Sequence, residues 1–355
     1  MSINNKFNYL YGNYVFYFLN DKENYVKKKK VIHKIVKLDF FMRNELTNIN
    51  KIRYILEYNK YYYIFENSKE LKITNLQEDI QDIKDIKNGK KLKSDEIDET
   101  ILVIFKDREI INLKTYLKAL SSSTKYILTI IEFYKQLLIS IDLLVKQNIV
   151  HNYINFDSIV VDNQFTPLIS NFAFSINMSR ENNTQYIAHF FTAYDPLYLE
   201  WPLEFHLLSY LLTNKLNSLS LYNIENVIND VSENHSILKT FGESVVSSYK
   251  LEALDYFKKY INQSYEYILT DMLKFGNTWD NYALSILFLR ILIEIHRTIH
   301  KKNKLIILFM KLLVCNIHLN PLKRLSIELT TNQFNSLLDS LEPKDYKEVI
   351  YLMST

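Results

Sequence analysis

Ile149-Val150-His151-Asn152-Tyr153-Ile154-Asn155-Phe156-Asp157-Ser158-Ile159-Val160-Val161, followed by Leu168-Ile169-Ser170-Asn171-Phe172-Ala173, is the stretch whose reading decides the fold. It follows a long amphipathic segment, Ile127 to Gln147, in which Ile130, Phe133, Leu137, Ile141 and Leu144 recur at helical spacing on one side. Upstream, Leu113, Tyr116, Leu117 and Leu120 mark a shorter helix, and Ile101 to Phe105 reads as a buried strand. Residues 7 to 74 alternate apolar and polar in short runs, such as Tyr14 to Phe18 and Tyr61 to Phe65, which predicts strands. One helix interrupts them, Asp39 to Asn50, with Asp39 placed to cap it. Between Asn75 and Thr100 the chain is charged and nearly free of aromatics, which predicts a loop or insertion. Beyond residue 200 the period is helical almost throughout, over Leu207 to Leu212, Ile237 to Val245, Leu251 to Ile261, Tyr282 to Ile295 and Leu305 to Cys315. A strand-rich first third before a helical remainder predicts an α+β protein with two lobes.

Composition limits what such a protein can do. The 355 residues are 48% apolar and carry 43 Lys+Arg against 40 Asp+Glu, enough for a sizeable core without strong charge repulsion. The net charge of +3 gives little support to obligatory nucleic-acid binding. Lys27 to Lys30 is the dense basic run, read as a solvated turn, with a phosphate- or membrane-contacting patch as the alternative. The single cysteine, Cys315, excludes an internal disulfide and is expected to be a buried, inert thiol in a reducing, intracellular compartment. No secretory signal and no membrane span are expected, because Asn4, Asn5 and Lys6 break the first apolar run while Arg290 and Lys311 break the longest ones. The 27 tyrosines, with abundant Asn, Ile and Lys, look like the output of an AT-rich genome rather than stacking platforms. Glycine is scarce: Gly12, Gly89, Gly242 and Gly276 stand where average usage gives about 25. Neither G-x-x-x-x-G-K-[ST] nor G-x-G-x-x-G can be written with glycines so far apart.

The region around His151 resembles the eukaryotic protein kinase fold. The kinase catalytic loop is H-R-D-x-x-x-x-N, and the metal-binding triplet is D-F-G. Here seven residues separate His151 from Ser158, and thirteen more lead to Asn171, as in kinases. Further landmarks follow in the same order. Ile101 to Phe105 and Asn112 to Leu117 are similar to the last small-lobe strand, the hinge and the first large-lobe helix, and Phe133 to His151 to the helix feeding the catalytic loop. Asp280-Asn281-Tyr282-Ala283-Leu284-Ser285 resembles the opening of the central large-lobe helix, and Asn320-Pro321-Leu322-Lys323-Arg324-Leu325-Ser326 the late motif whose arginine pairs with a glutamate, matched here by Glu204. The resemblance covers about residues 10 to 340. It implies a bilobal fold with a small lobe over 1–106, including the charged loop 75–100, and a helical large lobe over 107–355 with a helical insertion at about 206–276.

The departures from the pattern are as informative. Where a kinase has its proton-accepting aspartate stands Tyr153, a phenol with a reference pKa near 10 and a poor base. Asn155 replaces the lysine that contacts the transferred phosphate, Ser158 the metal-binding asparagine, and Asn171 the metal-binding aspartate, leaving no negative charge for a hard cation. No glycine-rich loop exists, since Gly12 is the only glycine near the first strands. Lys34 and Glu45 match the nucleotide-anchoring lysine and its helix partner, although eleven residues is a short separation. His151 is expected to bond backbone near the triplet, Phe172 to pack in the core, and Asp157 to point elsewhere rather than act as a substitute acid.

Three functions remain open on this reading. The first is a pseudokinase, a kinase fold kept for protein interactions, with the insertion as a partner surface and no cofactor. The second is an atypical, weakly active Ser/Thr kinase using ATP and Mg²⁺. The third is a helical structural protein. The composition together with the degenerate motifs is similar to kinase-like proteins of large cytoplasmic DNA viruses, some of them packaged in virions.

Overall fold

A computed structural model describes residues 15–17, 32–70, 100–105, 108–120, 125–299 and 303–354. Gly12, Gly89, Lys27 to Lys30 and the charged segment up to residue 99 lie outside the described residues. The architecture is α+β. A four-stranded antiparallel sheet has the order β1-β2-β4-β3, from β1 (Val15–Tyr17), β2 (Ile32–Lys37), β3 (Asn67–Glu70) and β4 (Thr100–Phe105). In its central ladder Lys34 faces Val103 and Ile35 faces Leu102. Between β2 and β3 runs helix α1 (Phe40–Ile52), which starts where Asp39 accepts a hydrogen bond from the Met42 N–H at 2.9 Å.

Two smaller antiparallel sheets follow. One has the order β5-β7-β8, from β5 (Ile110–Asn112), β7 (Ile159–Asp162) and β8 (Pro167–Ile169), and the other pairs β6 (Ile149–Val150) with β9 (Ile176–Asn177). Helices α2 (Leu113–Leu120) and α3 (Tyr126–Lys146) lie between β5 and β6, within two residues of the spans expected from apolar spacing. The five residues expected on the inner side of α3 are all buried, because a 21-residue helix carrying that stripe must bury it.

From residue 184 the chain is helical. Helices α4 (Thr184–Ala188), α5 (Leu203–Thr213), α6 (Leu221–Asn234), α7 (Ser236–Thr240), α8 (Glu243–Phe257) and α9 (Tyr265–Leu273) precede α10 (Trp279–Ile299), α11 (Lys304–Asn316), α12 (Ile327–Asp339) and α13 (Pro343–Ser354). Among the described residues, α3, α10, α11 and α12 close around one hydrophobic cluster, where the Tyr134 ring meets Phe288, Phe309 and Phe334 edge-on at 4.8–4.9 Å. Helices α5, α6, α8 and α9 enclose a second cluster with Trp201 and Trp279.

Three expectations fail, each for a local reason. Tyr61 to Phe65 is not a strand: it touches the β8 edge through a single bridge, Tyr62 to Ile169, with hydrogen bonds from Tyr63 N–H to Ile169 O and from Ile169 N–H to Tyr61 O. Ile237 to Val245 is not one helix. Gly242 breaks it at φ 104°, a backbone conformation that side chains disfavour. Cys315 is exposed, because Leu305, Phe309, Leu312, Leu313 and Asn316 occupy the inner side of α11.

The expected pair between Glu204 and Arg324 forms at the base of the helical region. Both side chains are 1% exposed, and the guanidinium grips both carboxylate oxygens, with Nη2 2.9 Å from Oε2. Trp279 Nε1–H donates to the same carboxylate at 3.0 Å, and Arg324 Nε–H donates to His318 O at 2.7 Å. The pair thus ties α5, α10 and the turn before α12 together. Glu204→Ala leaves a buried guanidinium uncompensated and is expected to lower the unfolding free energy by about 3–5 kcal/mol, whereas the double variant Glu204→Leu/Arg324→Met recovers most of that loss. Urea titration of both variants checks this, and equal losses in the two would refute it.

Candidate functional site

The quoted stretch folds into a loop held from beneath by Asp280, in the first turn of α10. Its carboxylate accepts the His151 N–H at 2.6 Å and the Asn152 N–H at 2.8 Å. Burial pushes this carboxyl up to about 7, while the two backbone donors favour the charged form. Asn152 turns at φ 60°, and its carbonyl accepts the Trp201 indole N–H at 3.1 Å.

His151 is structural, as its position implies. Nε2 lies 2.9 Å from Ser170 O, and Nδ1 accepts the Tyr153 N–H at 3.3 Å, which places the proton on Nε2 and keeps the ring neutral. Burial holds its pKa down at about 4. The ring stands edge-on to Phe172 at 4.9 Å, and Phe172 is fully buried.

The three positions that match a catalytic loop are turned inward on one another. Asn155 Oδ1 accepts the Asp157 N–H at 2.7 Å and the Ser158 N–H at 3.0 Å. Ser158 Oγ accepts the Asn155 N–H at 3.0 Å and donates to Asn155 O at 3.2 Å. The remaining polar atom of Asn155, Nδ2, donates to the Tyr198 phenol oxygen at 2.8 Å. This is an Asx and hydroxyl turn that the sequence Asn155-Phe156-Asp157-Ser158 makes for itself. Tyr153 lies beside Tyr198 with its ring nearly parallel, centroids 6.1 Å apart, and burial pushes its phenol up to about 12. Asp157, by contrast, is exposed.

The residues expected to hold a nucleotide are only partly brought together. Asn171 sits at φ 66°, and its Nδ2 donates to Asp157 O at 3.3 Å. Glu45 on α1 reaches the same turn, accepting the Phe172 N–H at 3.3 Å. Lys34 lies in β2, and its meeting with Glu45 falls outside the described residues. Among the described residues, no group of three or more His, Cys, Asp or Glu side chains is placed to hold a metal ion.

Sequence reasoning missed how firmly α1 is tied to this turn. Asn44, Asn48 and Lys51 fall along one side of the helix at steps of four and three residues. Asn44 donates to Ala173 O and Ser175 O, and Asn48 to Ser175 O, at 2.7–2.9 Å. Lys51 donates to Asn177 Oδ1 at 2.9 Å and Gln147 O at 3.2 Å. The Asn-x-x-x-Asn-x-x-Lys spacing was the available signal. Phe40 stacks on His189 at 3.9 Å and Phe41 meets Phe174 at 4.6 Å, closing the other end of the contact.

A second buried histidine, His206 on α5, sits near His235, Tyr194 and Trp201, with no good hydrogen bond to either ring nitrogen. Burial, and then the neighbouring His235, push its pKa down to about 3, with the nearby Trp201 and Tyr198 carbonyls opposing. His235 is held down at about 4 by burial. A histidine kept neutral in the folded chain contributes stability above its unfolded pKa of about 6.5 and loses it as pH falls toward the folded value. Asp280 and Glu200, both raised by burial, act in the opposite direction over the acid range. His206→Leu is therefore expected to flatten the fall of unfolding free energy between pH 6 and 4 by about 1.4 kcal/mol per pH unit. Denaturant titrations across that range measure it, and parallel curves for variant and wild type would count against a neutral His206.

No protein-family model matches the chain, and no curated protein matches it.

Proposed function

We propose that the chain is a two-lobed, protein-kinase-like protein that has lost its phosphoryl-transfer chemistry, a pseudokinase acting through protein contacts. The order of elements supports the fold reading. A four-stranded sheet carrying one helix comes first, then two helices, a loop between β6 and β7, a triplet turn before β9, and a helical region tied by Glu204 and Arg324. In this reading residues 1–106 are the small lobe, 107–355 the large lobe, and α5 to α9 the insertion at about 206–276.

One observation carries the loss of chemistry: Asn155 and Ser158 satisfy each other and Tyr198, so neither offers a free oxygen to a metal ion or a phosphate. The half-buried Tyr153 phenol keeps its proton at neutral pH, which makes it a poor base there. The residues present do not fit Mg²⁺. The carboxylate within the loop, Asp157, points out to solvent, and Asn171 spends its amide nitrogen on Asp157 O while offering no charge. The insertion supplies a large helical surface of its own, which fits a role in holding a protein partner. A location inside the cell, with packaging in a virion, goes with this reading. Among the described residues, no helix is long and apolar enough to cross a membrane.

A weakly active Ser/Thr kinase is the second reading, and Glu45 favours it by keeping its place on the Phe172 N–H. Thermal unfolding with millimolar ATP, with and without Mg²⁺ or Mn²⁺, separates the two. A ligand at 100 times its Kd adds about 2.7 kcal/mol to the native state, which is several degrees in a protein of this size. The expected shift is below about 1 °C, and labelled-phosphate transfer is expected to be absent. A shift of several degrees together with transfer abolished by Lys34→Ala would replace the pseudokinase reading with the second.

A further inference from the structure

The geometry points to residues Asp195–Trp201 as an intramolecular strap that closes the loop Val150–Ser158 to any incoming polypeptide, with Tyr198 as its latch. The inference rests on the proposed reading only in taking that loop as the place where a substrate would have been received.

The strap is a tight turn with its own internal ties. Asp195 accepts the Leu197 N–H on its side chain at 2.9 Å and the Tyr198 N–H on its carbonyl at 3.2 Å. Leu197 is 64% exposed on the outside of the turn, while Leu199, two positions on, is 3% exposed. Tyr198, between them, lays its ring beside Tyr153 and puts its oxygen 2.8 Å from Asn155 Nδ2. One ring thus covers two of the three positions that match catalytic residues.

The far end of the strap is anchored twice. Glu200, nearly buried, accepts from Arg290 of α10 at 2.5 Å. Trp201 donates its indole N–H to Asn152 O at 3.1 Å and meets the Tyr198 ring edge-on at 4.7 Å. Pro202 then leads directly into α5. A polypeptide reaching Tyr153 or Asn155 must displace the Tyr198 ring, break its hydrogen bond and leave the Asn155 amide unpaired in a buried site. Because both anchors hold the strap from its C-terminal side, opening means swinging the Tyr198 end outward while Trp201 stays in place.

Hydrogen exchange of the full chain under native conditions tests the latch. Tyr198→Phe removes only the hydroxyl and is expected to speed exchange of the amides of residues 153–158 about fivefold, and Tyr198→Ala more than about tenfold, with the amides of α10 unchanged. Loop exchange within twofold of wild type in both variants would overturn the strap and leave the pseudokinase reading standing. Tyr198→Phe keeps the packed ring, so the test survives if Tyr198→Ala fails to fold. Phosphoryl transfer gained by Tyr198→Ala and absent from wild type would support the strap while overturning the pseudokinase reading.

Discussion

A carboxylate buried at the head of a helix is the constraint on which the rest of this structure depends. Asp280 is 2% exposed, and a carboxyl group at that depth is costly unless donors are aimed at its oxygens. The first turn of α10 supplies a favourable dipole, and the His151 and Asn152 amides supply the donors. Meeting that demand fixes where the loop enters, forces Asn152 to φ 60° and turns its carbonyl toward Trp201. From there the geometry propagates. His151 is held so that it bridges Ser170 and the Tyr153 amide, which sets the distance between the loop and the turn at Asn171. A demand for hydrogen bonds, rather than any demand of catalysis, is enough to keep this region in one shape.

That separation between shape and chemistry shows in how the loop spends its polar groups. In a site that handles phosphate, polar side chains must be held while keeping one oxygen or proton unspent for the substrate. Asn155 and Ser158 instead spend their groups on each other's backbone and on Tyr198. The same holds across the turn, where α1 uses two asparagines and a lysine to saturate the carbonyls of Ala173, Ser175 and Gln147.

Much of the fold was legible in the sequence because it depends on period and capping. The inner stripe of α3 and the Asp39 cap of α1 follow from residue type and spacing, and the pairing of Glu204 with Arg324 was expected from the resemblance alone. The failures share a different cause. Tyr61 to Phe65 has strand composition, but becomes a strand only if a neighbour offers a full ladder, and β8 offers one bridge. Cys315 lies in an apolar run, yet burial is decided by angle around α11 rather than by the company it keeps in sequence. At the candidate site, the residues in the loop were identifiable by count from His151, whereas Tyr198 was not. Its role depends on a contact across 43 positions, between chemically ordinary residues, and no local pattern announces it.

Glycine scarcity takes on a definite structural meaning once the backbone angles are known. Left-handed conformations are needed wherever a chain turns this sharply, and glycine is their usual occupant. Here asparagine takes them at Asn152 and Asn171 within the site and at Asn148 and Asn262 outside it, alongside Glu57, Phe165 and Lys215. Asparagine tolerates the left-handed region better than other side chains because its short amide can hydrogen-bond locally. Asn171 instead donates across the site, to Asp157 O fourteen positions away. A side chain at such a position is not neutral with respect to function. At Asn171 it claims a carbonyl that a glycine would leave free, whereas at Asn152 both side-chain polar atoms are buried without a partner. At such a turn an asparagine keeps the bend while bringing a side chain where glycine would leave the backbone bare.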